Sequence, residues 1–346
     1  MKSVLFAVLT IIVLVIPANA MEFTAPEAPE SAEIYMPEDT QTFGEGLWYV
    51  IKSAIRNLQP SLAEAAGVCL SLVAVVLLVS LIDSLSGNTK PVTRLASVLC
   101  IGIILIKPTN SMIQLGAETI VTLSDYGKLL LPVMTGALAA QGGITSSTAL
   151  YAGTALFDSV LTAIVSKLIV PMLYIYLCLC VANRFVGESL LKKIQDLVKW
   201  VMTWSLKIVL YVFSAYMSIT GVVSGSVDAA SMKATKIAIS GAVPVVGGIL
   251  SDASEAVLVG AGVMKSAAGV YGLLAILAVW IGPFVQIGCQ YLLLKATAAV
   301  CGVIGTKETT GLISDFTGAM GLLLAMTGTV CLLLLISTVC FMKGIS

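Results

Sequence analysis

An all-α, polytopic membrane fold follows from three features of this sequence. Hydrophobic residues make up 58% of the 346 positions and charged residues only 11%, against roughly 25% charged in soluble domains. Several uncharged runs reach the ~20 residues a helix needs to cross the hydrocarbon core. Where those runs are interrupted, the interruptions are Gly, Pro and hydroxyl residues, which helical membrane proteins tolerate at packed positions. The expectation is about six or seven spans after a cleavable signal peptide, with broken or re-entrant helices among them.

The function classes this composition excludes are equally clear. Nineteen Lys plus Arg balance nineteen Asp plus Glu, so no net field draws in nucleic acid, and no nucleic-acid partner is expected. The sequence contains no histidine, which removes the commonest general base and the usual zinc ligand. The eight cysteines, Cys69, Cys100, Cys178, Cys180, Cys289, Cys301, Cys331 and Cys340, all sit in apolar runs and read as reduced, packed thiols. Cys178 and Cys180 are two apart, the wrong spacing for C-x-x-C. No catalytic residue, cofactor or metal site is expected.

Residues 1–20 read MKSVLFAVLTIIVLVIPANA. A lysine, an apolar core from Val4 to Ile16 and the A-x-A triplet ending in Ala18 and Ala20 are the layout of a secretory signal peptide. Residues 21–62 form an acidic extracytoplasmic leader that is expected to be flexible, because a Pro-broken acidic segment buries too little to fold alone. Its end, from Trp48 and Tyr49 through Ile51–Leu62, is expected to lie as an interfacial amphipathic helix.

Residues 63–227 form the first helical membrane region. Ala65–Ile82 is an uncharged span, and the basic excess of Lys90 and Arg94 after it predicts a cytoplasmic loop. A second span starts at Leu95 and is expected to break or end at Lys107-Pro108. The Gly- and Thr/Ser-rich run Leu129–Phe157 fits one full span or a helical pair. Leu168–Ala182 reads as the next span, with Lys167 snorkelling at its end. The basic stretch from Arg184 to Lys207 is cytoplasmic by the positive-inside rule, although an even span count between Leu95 and Phe157 places it outside. Ile208–Val227 is a packed span carrying Gly221 and Gly225 as G-x-x-x-G. Asp158 caps a helix, pairs with a lysine, or marks the end of a span.

Residues 228–265 form a Pro/Gly-interrupted amphipathic segment. Gly241 and Pro244 stop a helix, Gly247 and Gly248 allow a reversal, and Asp252 and Glu255 open the next helix. Those two acids read either as caps favoured by the helix dipole or as an intramembrane acidic pair. Residues 266–346 hold the C-terminal spans: Ser266–Leu294, kinked or broken at Gly282-Pro283, and Phe316–Met342.

The segment Lys236 to Gly272, with SGAVPVVGG at 240–248 and then Leu250-Ser251-Asp252-Ala253-x-Glu255, closely resembles the stage III sporulation protein AE family of endospore-forming bacteria. The motif likeness covers residues 220–342, and residues 1–200 are similar in organisation. The resemblance implies a non-enzymatic, multi-pass protein of the mother-cell membrane around the forespore. It would form the membrane core of a channel or secretion-like complex needed for late forespore development. The implied partners are the other membrane proteins of the stage III sporulation A complex, indirectly stage II sporulation protein Q of the forespore, and membrane lipid. The alternative is a small-molecule or ion permease with broken helices. An intramembrane protease is set aside, since no G-x-S-x-G, H-E-x-x-H or G-x-G-D motif is present.

Overall fold

The computed structural model describes residues 25–37, 42–85, 90–140, 144–186, 189–219 and 267–345. Helix α1 is a single turn, Glu30–Glu33. Helix α2, Phe43–Arg56, starts where the Thr42 hydroxyl accepts from the Glu45 N–H at 3.4 Å. This N-cap, with Glu45 in the first turn, explains why the helix begins well before Ile51; it ends at Arg56, before Leu62. Its residues Phe43, Gly46, Val50 and Ala54 are buried, and that helical spacing points one face inward. Trp48 and Tyr49 are exposed.

Among the described residues six helical crossings follow: α3, Gln59–Leu85; α4, Lys90–Ala140; α5, Ile144–Ile164; α6, Val170–Val186; α7, Ser189–Ile219; α8, Ala267–Ile304; and α9, Lys307–Ile345, with α5 and α6 joined into one crossing by a π turn at Val165–Ile169. All six are long and apolar enough to span a membrane.

Several expectations are corrected here. Lys107-Pro108 and Gly282-Pro283 do not break their helices: Pro108 and Pro132 lie inside α4, and Pro283 inside α8. A proline removes one backbone bond, and neighbouring helices can re-satisfy the freed carbonyl. The run Leu129–Phe157 is neither a separate span nor an isolated pair, because its first part completes α4 and its second part begins α5. Leu168–Ala182 is likewise only part of a crossing that runs over Leu150–Val186, and the basic stretch before Ile208 belongs to the Leu190–Met217 crossing. Polar residues spaced along a helix do not end it when one face is packed.

The leader is docked, not loose, over residues 25–37. Ala32 is fully buried and Tyr35 nearly so. The Tyr271 hydroxyl accepts from the Ala28 N–H at 3.2 Å, and the Tyr126 hydroxyl donates to the Pro26 carbonyl at 3.4 Å. Tyr35 sits over Gly282, where a Cβ would stand 2.6 Å from its ring. The leader's composition prevents independent folding, and packing against α8 supplies what it lacks.

Contacts also settle which ends of the helices lie together. Gly153 meets Tyr216, Gly127 meets Leu334 and Gly269 meets Met342, while Ser124 bonds Asp158. At the opposite end Val76 meets Gly305 and Arg184 bonds Asp315. Successive crossings therefore alternate in direction. Lys90 and Arg94 fall at the same end as Arg184, Lys192 and Lys193, which resolves the parity left open by hydropathy.

Helix α9 is the hub. It packs against α4, α5, α6, α7 and α8, and its crossing is 94% buried within the chain, against 28% for α3 and for α7. An all-round hydrophobic helix belongs in the interior. Its hydroxyls bond back into its own turns: Thr317 to Ile313, Thr329 to Ala325, Ser337 to Leu333 and Thr338 to Leu334, at 2.7–2.8 Å. Such back-bonding satisfies each hydroxyl without a partner helix. None of the eight cysteines forms a disulfide, and Cys180, Cys301, Cys331 and Cys340 are buried.

Candidate functional site

The segment singled out from sequence, Gly241, Pro244, Gly247, Gly248, Asp252 and Glu255, lies outside the described residues, as do Gly221, Gly225 and the cleavage residues Ala18 and Ala20. Among the described residues, polar chemistry inside the bundle gathers at two other places, and intramembrane polar groups are the default functional candidates of a helical membrane protein.

The first joins α6, α7 and α9. Arg184, in the last turn of α6, donates from Nε at 3.1 Å and from Nη2 at 2.8 Å to the same oxygen, Oδ2 of Asp315 on α9. Both side chains are largely shielded, at 26% and 16% exposed. About two turns earlier on α6, the Tyr176 hydroxyl donates to the Asp315 backbone carbonyl at 3.4 Å. Asn183 donates to Gln195 of α7 at 3.2 Å, and both are buried. The cluster depends on missing side chains as well. The Arg184 guanidinium occupies the place of a Cβ at Gly311, and Tyr176 and Lys199 crowd within 3.3–3.4 Å of one at Gly318. Small residues here let charged groups cross between helices at close range.

The second joins α4 and α5. The Ser124 hydroxyl donates to Oδ2 of Asp158 at 2.7 Å, and Asp158 is 2% exposed. Asp158 thus neither caps nor ends a span, and no lysine bonds it; Lys128 bonds Asp125 instead, at 2.8 Å on an exposed surface. Lys167 falls in the π turn and is exposed.

Arg184 and Asp158 were visible as charges beside apolar runs. Their partners were not, because Asp315 is 131 residues from Arg184 and Ser124 is 34 from Asp158. No group of three or more His, Cys, Asp or Glu that could hold a metal occurs among the described residues.

Among the described residues, six alternating crossings, one of them buried at the centre and held by the Arg184–Asp315 ion pair, define a polytopic α-helical membrane protein. The match to the family described as stage III sporulation protein AE runs over residues 40–344, nearly the whole chain. The chain belongs to that family. A curated relative, stage III sporulation protein AE of Bacillus subtilis (strain 168), is 18% identical over 217 residues, covering 62% of this chain and 54% of the relative. The match thus spans about half the length of that relative. No solved structure matches the chain.

Proposed function

We propose that this chain is a non-enzymatic membrane core component of a sporulation-specific channel or secretion-like complex linking mother cell and forespore. In this reading it resides in the mother-cell membrane, with the other membrane proteins of the stage III sporulation A complex as neighbours and stage II sporulation protein Q as an indirect partner. The basic end that holds Lys90, Arg94, Arg184, Lys192 and Lys193 then faces the mother-cell cytoplasm, and the docked leader faces the forespore side.

The observation that carries the reading is the buried α9. A helix that fills the middle of the bundle leaves no axial route there for a large cargo. A conduit built with this protein therefore forms between copies or with partners, which suits an assembly component. The continuity of α4 and α8 through their prolines takes away two of the broken helices on which a permease reading relies.

Deletion of the gene in its native host tests the proposal. Loss of heat-resistant spores after engulfment, with vegetative growth intact, is the expected result. Normal sporulation with a transport or growth defect would overturn it in favour of a permease.

A further inference from the structure

Three oxygens on one face of α5 set this helix apart. Thr154 Oγ1, Asp158 Oδ1 and Thr162 Oγ1 are each buried without a hydrogen-bond partner in the protein. Thr154 is fully buried and Asp158 is 2% exposed. A threonine in a helix has its own i−4 carbonyl within easy reach, and the hydroxyls of Thr317, Thr329, Ser337 and Thr338 take it. Thr154 and Thr162 do not. They flank the one buried acid of the helix at i−4 and i+4, and leaving a buried polar atom unpaired is destabilising. Three such atoms in register ask for a polar guest.

The spacing says which guest. Residues four apart on a helix stand about 6 Å apart along its axis, twice an ordinary hydrogen-bond distance, so one water fits between each pair. Ser124 holds the other carboxyl oxygen of Asp158 at 2.7 Å and so fixes its orientation. The ladder has a mouth and a floor. Asp125 and Lys128, exposed and paired at 2.8 Å, lie next to Ser124 on α4, and the π turn Val165–Ile169 begins three residues past Thr162. π turns recur at functional positions because they disturb the backbone bonding of the helix.

We infer that the Thr154–Asp158–Thr162 face of α5 is a hydrated proton path, with Asp158 taking up and releasing one proton that travels over bridging waters to the exposed Asp125–Lys128 pair. Among the described residues, the groups able to influence Asp158 are few. On α4 they are Ser124, Asp125 and Lys128. On α7, Tyr216 packs on Phe157 and Lys207 points outward. Helix α9 carries no Asp, Glu, Lys or Arg between Asp315 and Lys343, and α6 contributes the exposed Lys167 of the adjoining π turn. Among the described residues, a single carboxyl therefore governs the path.

The test uses the full chain in native membranes and does not involve sporulation, so its failure is separate from failure of the channel reading. Dicyclohexylcarbodiimide, which modifies protonated carboxyls in apolar surroundings, is applied over about pH 5 to pH 9, and modification of Asp158 is read by mass spectrometry; a group in exchange with bulk loses label by about tenfold per pH unit above its midpoint. The expected result is such a falling profile, abolished in Asp158→Asn and flattened in the Thr154→Val, Thr162→Val double variant. Asn retains the shape and an acceptor for Ser124, and valine merely removes unpaired hydroxyls, so all these variants should fold, which their melting temperatures check. A flat profile in the unmodified chain, absence of label at every pH, or an unchanged profile in the double valine variant would overturn the inference.

Discussion

Helices α3 and α9 are both strongly apolar, yet they occupy opposite environments. The α3 crossing is 28% buried and the α9 crossing 94% buried. Lipid and a protein interior are equally dry, so apolarity alone cannot tell a lipid-facing helix from a central one. What differs is what packs against the small residues and where the large ones point. In α9, Gly311 and Gly318 admit Arg184, Tyr176 and Lys199, and a series of threonines and serines bonds inward to its own backbone. In α3, large side chains such as Leu70, Leu78 and Leu81 point outward at 60–71% exposure. The central helix is recognised by what it leaves out.

That contrast can be broken most severely at the centre. Leu332 is fully buried in α9, so Leu332→Asp should abolish folding and leave no protein in the membrane fraction on immunoblotting, whereas Leu78→Asn in α3 should leave detectable protein. A milder cut tests the same difference: Leu332→Ala should cost about 2–4 kcal/mol from cavity formation, and Leu78→Ala well under about 1 kcal/mol, measured by unfolding in mixed micelles. Equal costs would mean that α9 is not the hub.

The ionic tie sharpens the comparison. Asp315→Ala leaves Arg184 without its acceptor among shielded helices and should cost about 2–4 kcal/mol, towards the lower end because the pair is partly exposed. A double-mutant cycle with Arg184→Ala should return a coupling of about 1–2 kcal/mol; additive losses would show the pair to be incidental. Next in size, Gly282→Val places a branched side chain under the Tyr35 ring and should release the leader. Faster proteolysis at residues 25–37 with an unchanged bundle is the expected readout. Trp48→Ala, on the exposed face of α2, should change thermal stability by less than about 0.5 kcal/mol.

The sequence made the fold class and most crossings legible, since the apolar runs from Ala65, Leu95 and Phe316, and the 268–294 part of the run before Lys295, lie in spanning helices. It misjudged continuity. Pro108 and Pro283 look like stops because propensity describes a solvated helix, and packing overrides it. The docked leader was hidden for a similar reason: Tyr35 needs Gly282, 247 positions away, and composition registers only local capacity to fold. The capping signal Thr42-x-x-Glu45 was available and fixes the start of α2. The T-x-x-x-D-x-x-x-T spacing around Asp158 was also readable, though nothing local reveals that its oxygens lack partners.

The position of α9 bears on how the molecule is made. The helix that fills the middle follows every other described crossing in the chain, so α3 to α8 leave the translocon before the piece they enclose exists. During that interval their inner faces, Gly116, Gly127, Arg184 and Tyr176 among them, meet lipid or each other without their lasting neighbour. A nascent chain stalled before residue 307 thus exposes an unpaired Arg184 to the bilayer, a defect that membrane quality control can sense. Arrival of α9 converts a loose set of inserted segments into one body.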